Sequence, residues 1–266
     1  MKYRKLLEYL DKLGSTMVAF SGGVDSSLLL AASLDALGMD KVVAVTAVSP
    51  IHPPEDLDEA RRTAAGLGAR WQVVDSKEML NPHFVANPPE RCYYCKKELL
   101  SLLVENAHKW GIARVVEGSN LNDLEDFRPG FRAVRETGVL SPLLEIGMTK
   151  EEVREAARER GISAWNRPSD ACLCTRLPYG REITPERLDR IYRAEAVVKG
   201  LGISAARVRD HGDIARLEVL AADIEKICRE ENRVYVAEKL REIGFIHVAV
   251  DLMGYRTGSM NPGLLT

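Results

Sequence analysis

Hydrophobic residues in the first half of the chain form short continuous runs separated by segments with helical spacing. The runs predict buried strands over 16–20, 41–48, 70–76 and 113–120, since they lack the polar alternation of a strand with one wet face. Between them, segments 25–38, 55–68 and 96–111 carry the spacing of helices, and the first two end in glycine, a frequent helix C-cap. This alternation predicts an α/β fold with a parallel sheet covered by helices on both faces.

The pattern changes after a last helix predicted over 149–161. Segment 166–185 has no regular period and contains three prolines and two cysteines. Beyond it we predict helices over 185–201, 221–231 and 233–243, with strands in "ARVRDHG", "IARLEV" and "IHVAVDL". This order indicates a smaller α+β domain. We therefore predict one domain over 1–165, a cysteine-bearing loop or linker over 166–184 and a second domain over 185–266, which we expect to bind substrate or mediate oligomerisation.

Composition narrows the cellular context. The chain has 266 residues and a formal net charge of −2, which argues mildly against a nucleic-acid partner. No apolar run is long enough to span a membrane, so we expect no membrane partner. The first 14 residues predict an amphipathic helix rather than a signal peptide, and we expect a cytoplasmic protein. The five cysteines are an odd number, which in a reducing compartment favours metal ligands or reactive thiols over disulfides.

The string "SGGVDSS" at 21–27 joins the first strand to the first helix of this pattern. Its glycines let the backbone approach a ligand, and the following helix offers its positive N-terminal end, so the string predicts a phosphate cradle. It is neither a Walker motif nor a dinucleotide fingerprint. Asp25 beside phosphates requires a divalent metal between them. The alternative is an ordinary glycine-rich turn with a serine or aspartate N-cap.

"SGGVDSS" resembles the PP-loop of the ATP pyrophosphatase superfamily, whose members cleave ATP between the α and β phosphates and adenylylate their substrate. The resemblance implies that ATP and Mg²⁺ are cofactors, with Asp25 as the magnesium ligand. It places at the nucleotide Ala19, Phe20, Ser21, Gly22, Gly23, Val24, Asp25, Ser26 and Ser27. It does not identify the nucleophile that displaces AMP.

Four further stretches, "RCYYCKKELL", "EGSNLNDLEDFRPG", "ACLCTRLPYGREIT" and "DLMGYRTGSMN", resemble the LarE family of ATP-dependent sulfurtransferases. That family builds the thiocarboxylates of the nickel-pincer nucleotide, the cofactor of lactate racemase. The resemblance implies a pyridinium carboxylate mononucleotide as substrate and sulfide or another sulfur donor as partner, and we expect a homo-oligomer. The alternatives are a tRNA-thiolating enzyme, an amide-forming ATP pyrophosphatase, or a nucleotide-sensing or iron–sulfur-carrying module without catalysis. Asp25 argues against the last.

Other polar residues follow the second and fourth predicted strands. We expect Thr46 and Ala47 to touch the adenosine, and Ser21, Thr46, Asp75 and Glu117 to face one crevice, since parallel strands present their ligands at their carboxyl ends. After the fourth strand, an N-capped turn is the alternative to a nucleotide or substrate site. The residues concerned are Glu117, Gly118, Ser119, Asn120, Asp123 and Arg128.

Sulfur transfer needs a soft nucleophile, and Cys172 and Cys174 are the candidates. Neighbouring Arg176 carries a fixed charge that favours a thiolate. Thr175 and Arg176 are candidates for substrate contact. In the second domain, Arg207 and Arg209 share one strand face and, with Arg216, could clamp the substrate's phosphate. The alternative for each arginine is a solvated surface position.

LarE-family proteins use either a sacrificial cysteine or three cysteines that hold a [4Fe–4S] cluster. The Cys-x-Cys pair favours the cluster, with Cys228 as third ligand, and the alternative for Cys228 is a buried helix cysteine. The family also implies a weak metal role for Glu195, which we expect on the exposed or subunit face of helix 185–201.

Cys92 and Cys95 are a rival pair of candidate metal ligands. The alternative is that these two cysteines support the substrate entrance, where Tyr93 or Tyr94 stacks on an aromatic ring. We expect His211 to be a turn residue.

Overall fold

The computed structural model describes residues 2–124, 129–167, 171–203, 205–256 and 259–260. The chain forms two compact units. The first comprises Met1–Phe84 and Pro89–Asp170, and the second comprises Val85–Pro88 and Ala171–Thr266. None of the helices in the described ranges has the length and apolar character needed to cross a membrane.

Four parallel strands form the sheet of the first unit, in the order β3-β2-β1-β4. They are β1 (Thr16–Ala19), β2 (Val42–Val48), β3 (Arg70–Asp75) and β4 (Arg114–Val116). The predicted α/β class and parallel sheet are confirmed. The helices are α1 (Lys2–Asp11), α2 (Val24–Leu37), α3 (Pro54–Gly66), α4 (Pro82–Val85), α5 (Arg91–Lys109), α6 (Gly130–Thr137), α7 (Pro142–Glu145) and α8 (Lys150–Glu159).

Helices cover both faces of this sheet because neighbouring strand residues point in opposite directions. Val18 packs in a cluster with residues of α1, α2 and α8, whereas Met17 packs in a separate cluster with residues of α5 and α6. Leu6 and Leu10 of α1 are fully buried, which confirms the amphipathic helix predicted at the N-terminus. The carboxyl end of β1 therefore opens between two packed layers.

Several element bounds differ from the prediction. Helix α5 begins at Arg91, five residues before the predicted start, because the polar residues ahead of its apolar stripe also adopt helical backbone. Strand β4 has only three residues, and Glu117–Asn120 continue as a loop. Helices α6 and α7 were not predicted, since short helices carry too few turns to establish a period. Strand β3 lies at the sheet edge and is largely exposed.

The second unit is a three-stranded sheet with helices. Its elements are α9 (Pro185–Gly200), β5 (Ala206–Asp210), β6 (Ile214–Val219), α10 (Ile224–Cys228), α11 (Glu230–Glu242) and β7 (His247–Val250). Strand β6 pairs antiparallel with β5 and parallel with β7. Apolar residues of α9, the strands and α11 form its core. His211 lies in the β5–β6 hairpin, where its backbone N–H donates to the Ile214 carbonyl over 3.0 Å.

The short segment Val85–Pro88 belongs to the second unit through hydrogen bonds. The Ile183 N–H donates to the Val85 carbonyl over 2.8 Å, and the Gly180 N–H donates to the Asn87 carbonyl over 2.9 Å. Asn87, fully buried, donates from Nδ2 to the carbonyls of Pro178 and Arg181. A four-residue excursion of the chain is thus built into the second unit's hydrogen-bond network.

Candidate active site

The PP-loop lies between the end of β1 and the start of α2. Gly22 has a φ of +75°, and a Cβ at that position would lie 2.9 Å from the Ala60 Cα, so only glycine fits. Ser26 Oγ donates to the Gly23 carbonyl over 3.1 Å, which fixes the turn. Gly23 is the N-cap of the 14-residue α2 and supplies no capping side chain. The positive end of α2 is therefore left for an anion.

A cavity of about 500 Å³ opens at this loop. Residues from β1, the PP-loop, α5, the loop after β4 and α8 form its wall, namely Ala19, Ser21, Gly23, Asp25, Ser26, Lys96, Leu99, Leu100, Glu117, Gly118, Ser119, Asn120, Asn122, Asp123 and Lys150. Gly118 closes the wall tightly, because a Cβ there would lie 3.0 Å from the Ser26 nitrogen. The volume and the polar lining suit a nucleotide.

Some residues predicted at the nucleotide have other positions. Thr46 and Ala47 do not line this cavity, and neither does Asp75. The Thr46 hydroxyl donates to the Phe20 carbonyl over 2.8 Å and accepts from Trp71 Nε1 over 2.9 Å, so it stabilises the backbone just before the PP-loop.

Three other residues predicted at the nucleotide are Phe20, Val24 and Ser27. Phe20 and Val24 pack in the core, and the buried Ser27 hydroxyl has no hydrogen-bond partner among the described residues. Arg128 lies outside the described residues.

Asp25 is the carboxylate of the PP-loop string at 21–27, and its two oxygens contact different groups. Oδ1 accepts from Asn120 Nδ2 over 3.1 Å, and Oδ2 pairs with the Lys150 ammonium. Lys150 is the first residue of α8, which starts at a Thr149–Glu152 capping box. The Lys150 ammonium thus occupies a position for a positive charge on Asp25, beside the phosphate cradle. Mg²⁺ prefers carboxylate and phosphate oxygens as ligands, so the donor chemistry at Asp25 fits this metal.

Glu117 lies buried at the end of β4 and carries a dense set of donors. Lys96 Nζ donates over 2.8 Å and Ser119 Oγ over 2.8 Å, and the Ser141 hydroxyl also donates to it. Burial raises the pKa of this carboxyl, but the charge of Lys96 and the hydrogen bonds of Lys96, Ser141 and Ser119 outweigh burial and hold the pKa below its ordinary value. Glu117 therefore stays ionised and holds Lys96 at the cavity wall.

This lowered pKa predicts an acid-sensitive contribution to stability. The contribution is present above the unfolded pKa of about 4.3 and is lost as the pH falls through the lower folded value. We expect Glu117→Gln to lower the free energy of unfolding by about 1–3 kcal/mol at pH 7 and by much less at pH 3. Urea unfolding at both values measures this. Glu105→Gln, which removes an exposed pair with Lys109, is the control and should change little at either pH. Equal losses at both pH values would contradict the prediction.

The loop after β4 forms a closed turn and also lines the cavity. Asp123 accepts from the Asn120 N–H over 2.9 Å, and Asn120 Oδ1 accepts from the Asn122 N–H over 3.0 Å, so the residues form a side-chain-closed turn. The same residues line the cavity. Lys96, Asn122 and Lys150 also line it and were missed, because each lies on a separate element that only the fold brings to the PP-loop. The capping box before Lys150 was the one local signal available.

The cysteine-bearing loop lies in the second unit and leads into a 3₁₀ turn over Leu173–Arg176. Cys172 is half-buried and Cys174 is fully buried, whereas Cys228 is exposed at the end of α10. Within the described part of the chain, no group of three or more His, Cys, Asp or Glu residues is positioned to hold a metal ion. These cysteines are thus not assembled as a cluster site, and the [4Fe–4S] cluster stays a prediction.

Arg176 and Glu195 form a buried ion pair beside this loop. Both residues are 2% exposed, and Arg176 Nε donates to Glu195 Oε1 over 2.8 Å. The expected exposed or subunit-facing position of Glu195 is wrong, because its carboxylate turns inward to neutralise Arg176. Arg176 Nη1 donates to the carbonyls of Ala171 and Cys172 over 2.6 and 3.0 Å. Its charge therefore holds the backbone of the cysteine loop.

The arginines of β5 and β6 are also paired in this structure. Arg209 Nη2 donates to Glu218 Oε2 over 2.6 Å, and its Nη1 donates to the Thr175 carbonyl over 3.1 Å. Ser259 bonds the same carboxylate. Arg216 pairs with Asp251 over 2.7 Å. Because Arg209 and Glu218 are buried, Arg209 is not a solvated surface residue.

Arg207 lies partly buried on the same strand, with its guanidinium carbon 5.4 Å from the ring centroid of Tyr255. Arg209 joins the sheet to Thr175, whose hydroxyl donates to the Cys172 carbonyl over 2.8 Å. This contact connects the cysteine loop to the sheet of its own unit.

Comparison with known proteins agrees with this geometry. The family model described as NAD synthase matches residues 3–91, which include the PP-loop. The chain is 38% identical to the pyridinium-3,5-bisthiocarboxylic acid mononucleotide synthase of Lactiplantibacillus plantarum over 99% of this chain and 95% of that protein. It is 39% identical to an uncharacterized Synechocystis protein over 98% and 97% of the two chains.

A more distant match covers only part of the chain. The argininosuccinate synthase of Haloarcula marismortui is 28% identical over 56% of this chain and 38% of that protein. The full-length match at 38% identity is decisive, because it includes both units. The chain therefore belongs to the LarE family, the family of the pyridinium-3,5-bisthiocarboxylic acid mononucleotide synthase, within the PP-loop superfamily.

Proposed function

We propose that this protein is an ATP-dependent sulfurtransferase that converts a carboxylate of a pyridinium dicarboxylate mononucleotide into a thiocarboxylate, in the synthesis of the nickel-pincer nucleotide. The observation that carries the proposal is the glycine-specific PP-loop with Asp25 and Lys150 at the carboxyl end of a parallel sheet. The full-length similarity to a synthase of the bisthiocarboxylate supports the choice of substrate.

The first step joins AMP to the substrate. A carboxylate oxygen attacks the α-phosphorus of ATP, the bond to the bridging oxygen breaks, and pyrophosphate leaves. The PP-loop and the N-terminal end of α2 bind this leaving group, and Asp25 would hold Mg²⁺, which neutralises charge on the phosphates. Lys150, which pairs with Asp25 in this structure, would contact a phosphate oxygen. Lys96, held by Glu117, adds a second positive charge to the cavity wall.

The second step replaces AMP with sulfur. A thiolate or hydrosulfide attacks the acyl carbon, the C–O bond to AMP breaks, and a C–S bond forms. Hydrosulfide gives the thiocarboxylate directly, whereas a cysteine thiolate gives a thioester, from which loss of the Cα proton and cleavage of the Cβ–S bond release the thiocarboxylate and leave dehydroalanine. We propose that Cys172 and Cys174 deliver this sulfur, since they flank a turn whose backbone Arg176 fixes. The three-cysteine cluster is a separate prediction, tested by the iron and acid-labile sulfide content of protein purified without oxygen. No step of the proposal depends on it.

The second unit supplies the cations that would bind the substrate's phosphate. Arg207 is a candidate because it is partly exposed, whereas Arg209 is buried in its pair with Glu218. A homo-oligomer and a cytoplasmic location stay predictions that sedimentation and cell fractionation test.

The test of this function is pyrophosphate release by the purified protein with ATP and Mg²⁺. We expect release with pyridinium-3,5-dicarboxylate mononucleotide, and mass spectrometry should find a product in which sulfur has replaced a carboxylate oxygen. Nicotinamide mononucleotide, which has the same ribose phosphate but no carboxylate, is the matched control and should give no release. Release stimulated by transfer RNA but not by the dicarboxylate would overturn the proposal in favour of a tRNA thiolase.

A further inference from the structure

Two cysteines that the proposed function does not use, Cys92 and Cys95, lie in the first turns of α5 in the first unit. Residues four apart on a helix lie on the same face, so Cys92 is one turn before Lys96 and Cys95 is one turn before Leu99. Lys96 and Leu99 both line the nucleotide cavity. The two thiols therefore lie one helical turn before α5 residues that line that cavity.

The two thiols differ in accessibility. Cys92 is exposed and Cys95 is half-buried. Tyr93 between them is buried: its ring lies 3.5 Å from the Arg132 guanidinium carbon, and its hydroxyl donates to Glu136 over 2.8 Å. This anchor fixes the turn, so the cysteine on either side of Tyr93 cannot rotate into the core. An incoming molecule meets Cys92 first.

The spacing also permits a bond between the two sulfurs. Side chains three apart on a helix have Cβ atoms about 5–6 Å apart, and a disulfide requires about 3.5–4.5 Å. The required closure is small, and it falls in the first turn, where backbone N–H groups have no partner four residues earlier. The Tyr93 N–H bonds the Glu90 carbonyl over 2.8 Å, the spacing of a 3₁₀ turn, at the start of this turn.

The local charge favours anionic sulfur. Helix α5 is 19 residues long, and its N-cap Glu90 supplies no capping side-chain hydrogen bond. Lys96 and Lys97 follow within the next turn, where they pair with Glu117 and Glu136. A thiolate is the reactive form in exchange reactions, and the N-terminal end of a helix favours an anion.

We propose that Cys92 and Cys95 form a dithiol that takes sulfane sulfur from a persulfide and releases it as hydrosulfide at the nucleotide cavity. The Cys92 thiolate attacks the outer sulfur of R–S–SH, so that Cys92–S–SH forms and R–S⁻ leaves. The Cys95 thiolate then attacks Cys92 Sγ, the Cys92–Cys95 disulfide forms, and HS⁻ leaves with the electron pair of the broken S–S bond. A small-molecule or protein dithiol reduces the disulfide for the next cycle.

The use of this hydrosulfide rests on the proposed function, in which the acyl adenylate is its target, and hydrosulfide would then attack in place of a Cys172 or Cys174 thiolate. The sulfur donor is then a persulfide. The dithiol chemistry itself requires neither ATP nor the mononucleotide, so the two proposals can fail separately.

The test uses full-length protein carrying Cys172→Ser and Cys174→Ser, reduced, desalted and mixed with glutathione persulfide. We expect about one hydrosulfide released per chain above the rate of the donor alone, and a peptide containing a Cys92–Cys95 disulfide. Adding Cys95→Ser should reduce release at least tenfold and trap a persulfide on Cys92. Adding Cys92→Ser should remove both products. Cys228, exposed on α10, is an internal control, since its helix holds no second cysteine to resolve a persulfide.

Unchanged hydrosulfide release in both single variants, or a disulfide that joins other cysteines, overturns the dithiol. Circular dichroism of each variant checks that the fold is retained, and since Cys92 is exposed, Cys92→Ser should not perturb it. Pyrophosphate release by the chain with Cys172 and Cys174 intact reports the proposed function independently. If the chain with Cys92 and Cys95 intact releases pyrophosphate but no hydrosulfide, only the dithiol is refuted, and if it releases hydrosulfide but no pyrophosphate, only adenylylation is refuted.

Discussion

Replacing Asp25 with asparagine is expected to slow pyrophosphate release at least ~100-fold at saturating ATP and Mg²⁺, the scale found for loss of a single charge-stabilising group in an active site. Asparagine keeps the shape and the hydrogen bond from Asn120 but lacks the negative charge that Mg²⁺ and Lys150 contact. The assay measures pyrophosphate with the dicarboxylate mononucleotide. Because the Asp25 side chain is 23% exposed, no buried cavity is created.

The matched control is Asp58→Asn on α3, which removes an exposed carboxylate that pairs only with neighbouring Arg61 in this structure. We expect it to keep the parent rate. The free energy of unfolding of both variants, measured in urea, should lie within about 0.5 kcal/mol of the parent value. A folded Asp25→Asn protein with the parent rate would exclude Asp25 from the phosphate chemistry.

The second large effect concerns stability. Arg176→Met is expected to lower the free energy of unfolding by about 3–5 kcal/mol, because it leaves Glu195 as a buried carboxylate without its cation. It also removes the donors to the Ala171 and Cys172 carbonyls, so the loop loosens. Urea unfolding measures the first effect, and faster alkylation of half-buried Cys172 measures the second.

Arg193→Met on the same helix as Glu195 is the control, since its ion pair with Asp189 is exposed and should contribute little. Combining Arg176→Met with Glu195→Leu removes both charges and should recover a large part of the lost stability, because burying an apolar pair avoids the desolvation cost. A single Arg176→Met variant as stable as the parent would mean that the pair is open in solution.

The PP-loop was predictable because its chemistry is local. Seven consecutive residues contain the glycines, the hydroxyls and Asp25, and backbone geometry alone explains Gly22. Lys150 was not predictable in the same way, since it lies 125 residues beyond Asp25 and reaches it only after α8 has packed on α2. Strand-end reasoning placed Glu117 and Thr46 at one crevice. Glu117 lines the cavity, whereas the Thr46 hydroxyl donates to the Phe20 carbonyl, and the expected adenosine contact of Thr46 stays a prediction.

Buried ion pairs were the larger omission. A helix pattern shows which face is apolar, so Glu195 on α9 was assigned to the exposed face. Its inward position is possible only because Arg176, from a segment without regular period, arrives to neutralise it. Similarly, Arg209 was predicted to bind phosphate, and no sequence signal linked it to Glu218 across the hairpin. Such pairings depend on three-dimensional register.

The segment Val85–Pro88 limits where the polypeptide can be divided into fragments. Its backbone and the Asn87 side chain complete hydrogen bonds with residues 178–183, more than 90 positions later in the case of Asn87. A fragment that starts at Ala171 therefore lacks part of its own unit, and a fragment that ends at Asp170 carries four residues whose partners are missing. Fusion junctions and split versions of the protein should keep both segments in one polypeptide.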